Sequence, residues 1–237
     1  MKIALVIGGT TGIGMGTAQI LNNNDYQVIV SGIENSAIKS INNKHSSSIK
    51  AEYLDCINSS VSEYITQKFE ELKKIDLIIF SAGIGNLNKD LGFKIENKAN
   101  ELNVLAFTEA VDHSYRLFEQ QGYGHLVAVT SFSCLFGSRV APAYHAAKAY
   151  QQNYLEGIRQ KATKSKLNIT ITEARPGFVQ TPMTEGKKMF WMANQEQAGK
   201  TIYKLIQNKS SYGYITKRWF LLGAIIKIIP LGIRKYF

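Results

Sequence analysis

Three polar residues near the middle of the chain have the types and the spacing needed for proton transfer. Ser131 ends an apolar run, Tyr144 follows it by thirteen positions, and Lys148 lies four positions beyond Tyr144. Residues four apart share one face of a helix, which would place the Lys148 ammonium one turn from the Tyr144 phenol. A nearby cation stabilises phenolate and lowers the pKa of a tyrosine from about 10. Tyr144 is therefore a candidate general acid or base, although the pair alone also fits a core aromatic beside a lysine with a buried stem.

A second candidate feature is the glycine-rich turn that follows the first apolar run. Residues 8–14 read G-G-T-T-G-I-G, and a helical pattern continues from there to Leu21. The N–H groups and the dipole at a helix N-terminus attract a phosphate, and glycines let the backbone approach it closely. The spacing is G-x-x-x-G-x-G, not the commoner G-x-G-x-x-G. The turn predicts a dinucleotide pyrophosphate site, and a tight strand-to-helix turn without a ligand is the simpler alternative.

Short apolar runs that recur along the chain must position these residues. Each run precedes a stretch with helical spacing, and runs such as A-L-V-I and D-L-I-I-F are apolar throughout, as in strands buried on both faces. This alternation predicts an α/β fold, a doubly wound, Rossmann-type parallel sheet of about seven strands with helices on both faces. A polar stretch, residues 42–48, is predicted to connect a helix to the third strand. The predicted strands cover residues 2–7, 27–31, 49–54, 75–80, 125–131, 168–174 and 212–216.

The composition fits a folded protein and excludes several classes of function. The chain has 237 residues, of which 45% are hydrophobic and 19% charged, and this favours one globular domain. A net charge of +10 raises nucleic acid or an anionic membrane as a partner. The cations are scattered and no nucleic-acid-binding motif is visible, so nucleic acid is not predicted. Two distant cysteines, Cys56 and Cys134, indicate neither a disulfide framework nor a metal site. The first residues lack the pattern of a secretory signal, which predicts a cytoplasmic protein.

The glycine-rich turn, Ser131, Tyr144 and Lys148 occur in the order and at the spacings of one protein family. Over residues 2–216 the chain resembles the short-chain dehydrogenase/reductase family. The resemblance implies an NAD(P)-dependent oxidoreductase that interconverts a carbonyl and an alcohol. Tyr144 would pass a proton to or from the substrate oxygen, Ser131 would hold that oxygen, and Lys148 would bind the nicotinamide ribose. Asn103 matches the family's helix asparagine, which supports a water path to the lysine.

The same resemblance assigns a set of residues to the cofactor. Asp55-Cys56 and the later S-A-G stand where the family has an aspartate with a small residue and N-A-G, and R-P-G-F-V-Q-T-P resembles its P-G segment. Ile7 replaces a usual threonine before the turn. Asp55 would flank adenine, although a loop cap before the next helix explains it equally well. The predicted cofactor-binding residues are Gly8, Thr10, Thr11, Gly12, Ile13, Gly14, Ser31, Asp55, Cys56, Ser81, Ala82, Gly83, Tyr144, Lys148, Pro176, Gly177, Val179 and Thr181.

The residues at the end of the second strand bear on the choice between the two nicotinamide cofactors. The family position that carries aspartate in NAD enzymes is Gly32, and the next, often arginine in NADP enzymes, is Ile33. Neither determinant is present. Glu34 would repel a 2′-phosphate if it folded onto the ribose, and a solvated acid before the next helix is the simpler interpretation. NADP(H) is favoured over NAD(H), because several polar side chains are available to bind a phosphate: Thr10, Thr11, Ser31, Asn35 and Lys39.

Residues 183–193 lie where the family places a mobile lid over the substrate. Thioethers and aromatic rings suit an apolar ligand, so this segment predicts a hydrophobic carbonyl or alcohol as the substrate. Packing of these side chains on the core or on a partner subunit is the alternative. The side chains concerned are Met183, Met189, Phe190, Trp191 and Met192.

The last residues, 217–237, form an apolar and basic tail after the predicted domain of residues 1–216. The apolar stretch is about fifteen residues long and contains Lys227 and Pro230, whereas ~20 residues are needed to cross a bilayer. Its cationic flanks fit a segment that lies at a membrane interface, on the inner face. A helix docked on the subunit or on a second copy is the alternative, because enzymes of this family commonly form homo-oligomers.

Two further functions stay open beside the enzyme. One is a non-catalytic protein that senses NAD(P) on the same fold, and the other is a membrane-attached interaction protein. The complete set of Asn103, Ser131, Tyr144 and Lys148 favours the enzyme.

Overall fold

Seven parallel strands form one sheet in the computed structural model, which describes residues 1–45, 48–186 and 189–235. The order across the sheet is β3-β2-β1-β4-β5-β6-β7. The predicted doubly wound sheet is confirmed, and every strand begins and ends within two residues of its predicted bounds. The strands are β1 (Lys2–Ile7), β2 (Tyr26–Gly32), β3 (Ile49–Tyr53), β4 (Leu77–Phe80), β5 (Tyr123–Val129), β6 (Asn168–Pro176) and β7 (Tyr212–Ile215).

Helices connect successive strands and cover both faces of the sheet. A π-helical segment, Glu101–Ala106, joins α4 to α5, and short 3₁₀ helices lie at Phe132–Leu135 and Pro182–Thr184. The α-helices are α1 (Gly12–Asn22), α2 (Asn35–His45), α3 (Val61–Leu72), α4 (Phe93–Asn100), α5 (Phe107–Gln121), α6 (Pro142–Ser165), α7 (Gln195–Gln207), α8 (Lys217–Ile228) and α9 (Leu231–Arg234).

The end of α2 differs from the prediction of a connection over residues 42–48. The helix continues to His45, and Asn42 explains why. Its side-chain amide donates to the Ala51 carbonyl at 2.9 Å and accepts from the Ala51 N–H at 2.8 Å. These two bonds hold the last turn of α2 against β3. Residues 46 and 47 lie outside the described part of the chain.

Apolar side chains pack on both faces of the sheet. On β1, Leu5 and Ile7 belong to the cluster with α3, α5 and α6, whereas Ala4 and Val6 belong to the cluster with α1 and α7. All four are completely buried. Burying a side chain such as that of Leu5 contributes about 1.5–3 kcal/mol, so the continuous apolar pattern of β1 follows from its central position.

The carboxyl ends of β1, β2 and β4 lie side by side at one edge of the sheet. β1 lies between β2 and β4, and Ile7 at its end pairs with Ser31 on one side and with Phe80 on the other. The connection after β1 leads to β2 on one side, whereas the connection after β3 leads to β4 on the other side of β1. Ligands of open α/β sheets bind at the carboxyl ends beside such a reversal. The turns after the three strands therefore meet at one edge.

Helix α8 docks on the protein through one face only. Trp219, Gly223 and Ile226 are buried against the segment around Phe132. The other face exposes Phe220, Leu221, Ile225 and Ile228. Within the ranges that the structure describes, no helix has the length and apolar character to cross a membrane.

Candidate active site

The predicted pair of Tyr144 and Lys148 lies in the first turns of α6. Pro142 begins this helix, where its missing N–H removes no hydrogen bond. The Lys148 ammonium lies 5.8 Å from the centroid of the Tyr144 ring. Sequence spacing alone predicted one shared helix face, and α6 provides it.

Lys148 is buried, and its ammonium is held by two acceptors. Only 3% of the residue is exposed. Its Nζ donates to the Val129 carbonyl at 3.3 Å and to Oε1 of Gln151 at 2.9 Å. Burial penalises the charged form and lowers the pKa of Lys148 to about 8. Near neutral pH the lysine is therefore a cation that loses its proton easily.

The pKa of Tyr144 has the opposite direction from the one predicted. Burial raises it, and a hydrogen bond from the Ser131 hydroxyl lowers it by less. The Lys148 cation does not reverse this rise, although its ammonium lies over the Tyr144 ring. In the protein alone the phenol is thus held in its protonated form.

Ser131 lies between β5 and the 3₁₀ helix Phe132–Leu135, where it is the N-cap residue. Its Oγ accepts from the Ser133 N–H at 3.1 Å. The residue is 7% exposed. This local bond fixes the hydroxyl near the Tyr144 phenol, with which it interacts.

Asn103 lies inside the π-helical segment and is completely buried. Its side-chain amide donates to the Ile84 carbonyl at 2.8 Å and accepts from the Ile84 N–H at 3.2 Å. Its main-chain carbonyl accepts from Nε2 of Gln151 at 2.8 Å. π-Helical turns occur often at functional sites. Here the turn places the Asn103 carbonyl toward α6, where Gln151 reaches it.

A cavity of about 760 Å³ connects the glycine-rich turn with the Tyr144 region. Five predicted residues are not on its wall, namely Gly14, Ser31, Asn103, Ser131 and Gly177. Ser31 is completely buried. Gly177 packs against the Trp219 ring, and a Cβ at position 177 would lie 1.8 Å from Cε2 of Trp219. The structure brings the other predicted residues to the wall: Gly8, Thr10, Thr11, Gly12, Ile13, Asp55, Cys56, Ser81, Ala82, Gly83, Tyr144, Lys148, Pro176, Val179 and Thr181.

The glycine-rich turn has a shape that suits a pyrophosphate. Gly8 adopts φ +76°, and a Cβ there would lie 2.4 Å from the Ala82 backbone nitrogen, so the turns after β1 and β4 touch. α1 begins at Gly12, and its N-cap residue Thr11 makes no side-chain hydrogen bond to the helix. The first turn contains no acidic residue. The helix dipole at this end of the cavity therefore favours an anionic group.

Gly32, at the end of β2, is packed closely against the side chain of Thr10. A Cβ at position 32 would lie 2.1 Å from Oγ1 of Thr10. Thr10 itself is 7% exposed and fills this corner of the cavity. A side chain at position 32 would therefore require the Thr10 side chain to move.

Asp55 acts as a loop cap and also lines the cavity. Its carboxylate accepts from the Ile57 N–H at 3.0 Å and from the Asn58 side-chain amide at 2.8 Å. The hydrogen bond from Asn58 is the largest cause that holds the pKa of Asp55 below its usual range. The nearby Lys98 adds an attractive charge. Both interpretations of Asp55 offered by the sequence are therefore compatible with its position.

Several wall residues were not found from the sequence. Lys98 and Ser36 line the cavity, whereas Lys39, the basic residue proposed for a phosphate, does not. Lys98 lies on α4, far in sequence from β2, and only the fold brings it to Asp55. Glu34 is on the wall and exposed to solvent.

The segment of residues 183–193 lies partly on the cavity and partly on α8. Met183 lines the cavity. Phe190 and Trp191 pack on Trp219, with ring centroids 5.6 and 6.0 Å away, although 58% and 45% of their surfaces remain exposed. The alternative of packing on the protein thus holds for the aromatic pair. Residues 187 and 188 lie outside the described chain.

The residues just described carry no metal-binding group. Among the described residues, no three His, Cys, Asp or Glu side chains lie together as a metal would require. Both cysteines are free, and burial raises the pKa of each thiol to about 12.

Known proteins share sequence and fold with this chain. The sequence pattern of a family described as short chain dehydrogenase matches residues 2–190. An uncharacterized oxidoreductase of Staphylococcus haemolyticus is 24% identical over 188 residues, which cover 78% of this chain and 80% of that protein.

Two solved structures share the fold. A short-chain dehydrogenase/reductase from Burkholderia phymatum, in complex with NAD, aligns with a TM-score of 0.84 and 13% identity, covering 94% of this chain and 92% of that one. A short-chain dehydrogenase from Sphingobium yanoikuyae, in complex with NADPH, aligns with a TM-score of 0.81 and 15% identity, covering 98% and 97%. The family match covers residues 2–190, well over half of this chain. The chain therefore belongs to the short-chain dehydrogenase family of NAD(P)-dependent oxidoreductases.

Proposed function

We propose that the protein interconverts a carbonyl and an alcohol, with Tyr144 as the general acid/base and with NADP(H) favoured as the cofactor. One observation carries the proposal. One cavity of about 760 Å³ is lined both by the glycine-rich turn at the N-terminus of α1 and by Tyr144 with Lys148. A dinucleotide bound at the turn would thus extend toward the phenol.

Each residue of the site has a distinct task in this proposal. A bound nicotinamide cofactor supplies or accepts the hydride. In reduction the Tyr144 hydroxyl donates a proton to the substrate oxygen and becomes phenolate, and in oxidation the Tyr144 phenolate accepts the proton from the alcohol. The Ser131 hydroxyl positions that oxygen beside the phenol. Lys148 supplies positive charge as phenolate forms and binds the ribose hydroxyls of the cofactor. Asn103 supports Lys148 indirectly, because its main-chain carbonyl binds Gln151, which in turn accepts from the Lys148 ammonium.

The preference for NADP(H) is supported by the corner around Gly32. Position 32 is glycine, and a side chain there would meet Thr10, so the usual carboxylate partner for the ribose hydroxyls of NAD is missing. Thr10, Ser36 and Lys98 line the cavity and offer hydroxyl donors and a cation to a phosphate. Relatives of this fold are described with NAD as well as with NADPH, so the corner residues must supply the preference.

A hydrophobic substrate is supported by the wall near Tyr144. Ile84, Leu102 and Met183 line the cavity, and Ile84 immediately precedes Gly85, where a Cβ would lie 2.9 Å from the Tyr144 ring. Apolar walls with few polar groups bind apolar ligands. We expect turnover to rise with chain length across a series of aliphatic carbonyl compounds, and activity confined to small sugars would contradict this part of the proposal.

The variant Tyr144→Phe tests the mechanism. It removes the acidic proton and keeps the ring, so turnover should fall by a factor of at least 10², while the Kd for NADPH stays within a few-fold. Tyr150→Phe is the matched control, because Tyr150 lies on the same helix with its hydroxyl bonded to Thr108. Unchanged activity in Tyr144→Phe would remove the proposed mechanism. NADPH binding without turnover of any carbonyl in wild type would favour a sensor instead.

A second role, contact with an anionic membrane surface, is supported by α8. Its exposed apolar side chains, Phe220, Leu221, Ile225 and Ile228, are between 53% and 80% exposed. The helix carries three cations and no acidic residue. An apolar face bordered by cations is typical of helices that lie at a lipid interface.

A further inference from the structure

Gln151 forms a bridge that connects the site lysine to the π-helical segment. The residue is completely buried on α6, three positions after Lys148. Its Oε1 accepts from Nζ of Lys148 at 2.9 Å, and its Nε2 donates to the Asn103 carbonyl at 2.8 Å. One side chain therefore joins two residues of the predicted catalytic set.

The chemistry of the two partners fixes the orientation of the amide. A main-chain carbonyl only accepts hydrogen bonds and an ammonium only donates them. The Gln151 nitrogen must therefore face Asn103 and its oxygen must face Lys148, since the reverse would pair donor with donor and acceptor with acceptor. Asn103 is in turn held by both backbone groups of Ile84. The Gln151 oxygen thus has a fixed position relative to the end of β4.

We propose that Gln151 is a positioning residue whose amide holds the Lys148 ammonium between the Tyr144 ring and the Asn103 carbonyl. This inference rests on the proposed function, in which Lys148 assists Tyr144. The resemblance to the family led us to expect a water path between the asparagine and the lysine, and in this chain a side-chain amide occupies that connection. Water donates and accepts at one atom, whereas the amide accepts at Oε1 and donates at Nε2. Gln151 therefore orients Lys148 and does not pass a proton to Asn103.

The surroundings leave few other groups that act on the lysine charge. Glu173 is the acidic group whose charge attracts the Lys148 cation, since burial raises the pKa of the nearby Cys134 thiol to about 12 and keeps it uncharged where Lys148 titrates. Glu173 is engaged by Arg175 at 2.7 Å. Among the side chains described, Gln151 is the one that bonds the ammonium directly. A change at position 151 should therefore change the titration of Lys148.

The experiment compares Gln151→Met, Gln151→Glu and the control Gln160→Met, which alters an exposed glutamine of the same helix. Lys148 is followed by NMR titration of protein labelled with ¹³C at the lysine ε-carbon, without cofactor, and its signal is assigned with Lys148→Arg. Gln151→Met removes the acceptor and should move the titration of Lys148 to lower pH. Gln151→Glu supplies an anion of the same size and should move it to higher pH. Gln160→Met should leave it unchanged.

Turnover gives the second measurement. Loss of a hydrogen bond to a charged group should lower kcat about tenfold in Gln151→Met, with a much smaller change in the Kd for NADPH. If Gln151→Met does not fold, Gln151→Glu decides alone. An unchanged Lys148 titration in the folded variants overturns the inference. If the titration moves as expected but Tyr144→Phe retains full activity, the positioning role stands and the proposed function fails.

Discussion

The Glu96 carboxylate of α4 accepts a hydrogen bond from the backbone N–H of Ala143 at 2.8 Å. Ala143 immediately precedes Tyr144 in the first turn of α6, so an acidic side chain from a separate helix caps the helix that carries the proposed acid/base. Asn88 donates to the same carboxylate. The position of Tyr144 thus depends on α4 as well as on α6.

Replacing Glu96 with alanine should lower both stability and turnover. A lost charge-assisted cap costs about 1–2 kcal/mol in the free energy of unfolding, which urea denaturation would measure. The first turn of α6 should loosen, and kcat should fall more than the Kd for NADPH rises. Glu156→Ala, an exposed acid on the same helix, is the control. A loss of stability with unchanged kcat would show that this cap does not position Tyr144.

Cofactor preference should respond to positions 10 and 32 together. Gly32→Asp alone forces the new Cβ against Thr10, and such overpacking costs about 1–3 kcal/mol. Adding Thr10→Ala removes Oγ1 and should restore the melting temperature. The double variant should then bind NADH at least about tenfold better relative to NADPH than wild type does, since one new hydrogen bond to ribose is worth about 1.5 kcal/mol. A double variant that folds well and keeps its NADPH preference would place the determinant elsewhere.

Stability should depend on pH through Lys148. Burial lowers the pKa of Lys148 from 10.5 to about 8 in the folded protein. Between those values the unfolded chain binds more protons, so stability rises with pH over that window and the penalty of the buried cation is full below pH 8.

Lys148→Met lacks this titration. The free energy of unfolding of wild type minus that of the variant should therefore increase by roughly 2–3 kcal/mol between pH 7 and pH 10. Lys164→Met, on an exposed lysine of α6, should show a constant difference. Urea denaturation at fixed protein concentration measures both, and a flat difference for Lys148→Met would contradict the assigned burial effect.

Binding to vesicles tests the exposed face of α8. The triple variant Phe220→Ser, Leu221→Ser, Ile225→Ser should reduce sedimentation with phosphatidylglycerol vesicles by at least about tenfold. The reason is that it removes three apolar side chains that the lipid would bury. Phosphatidylcholine vesicles should bind the wild type weakly. The control alters two exposed leucines elsewhere, Leu105→Ser and Leu167→Ser.

Light scattering separates the alternative partner. If the wild type ignores anionic vesicles but forms an oligomer that the triple variant cannot form, a second copy covers α8 and the membrane role is wrong.

The sequence predicted the fold well because burial on both faces leaves an unmistakable apolar run in each central strand, as in β1 and β4. It also predicted that Tyr144 and Lys148 lie close together, since four positions separate them on one helix. It could not predict Gln151 or Glu96. A glutamine inside a helix carries no signal that its amide reaches a π-helical carbonyl, and the contact of Glu96 with α6 depends on the packing of two helices. Lys98 was missed for the same reason.

Trp219 on α8 contacts the segment of residues 183–193 and the chain just after β6. Phe190 contacts the Trp219 ring in a tilted arrangement and Trp191 contacts it edge to face, and Gly177 lies directly against it. A surface that binds α8 and a substrate that contacts Phe190 or Trp191 would therefore act on the same packed unit. Coupling between two such sites is reciprocal. If lipid bound at α8 raises the affinity of the protein for substrate, bound substrate must raise its affinity for lipid by the same factor.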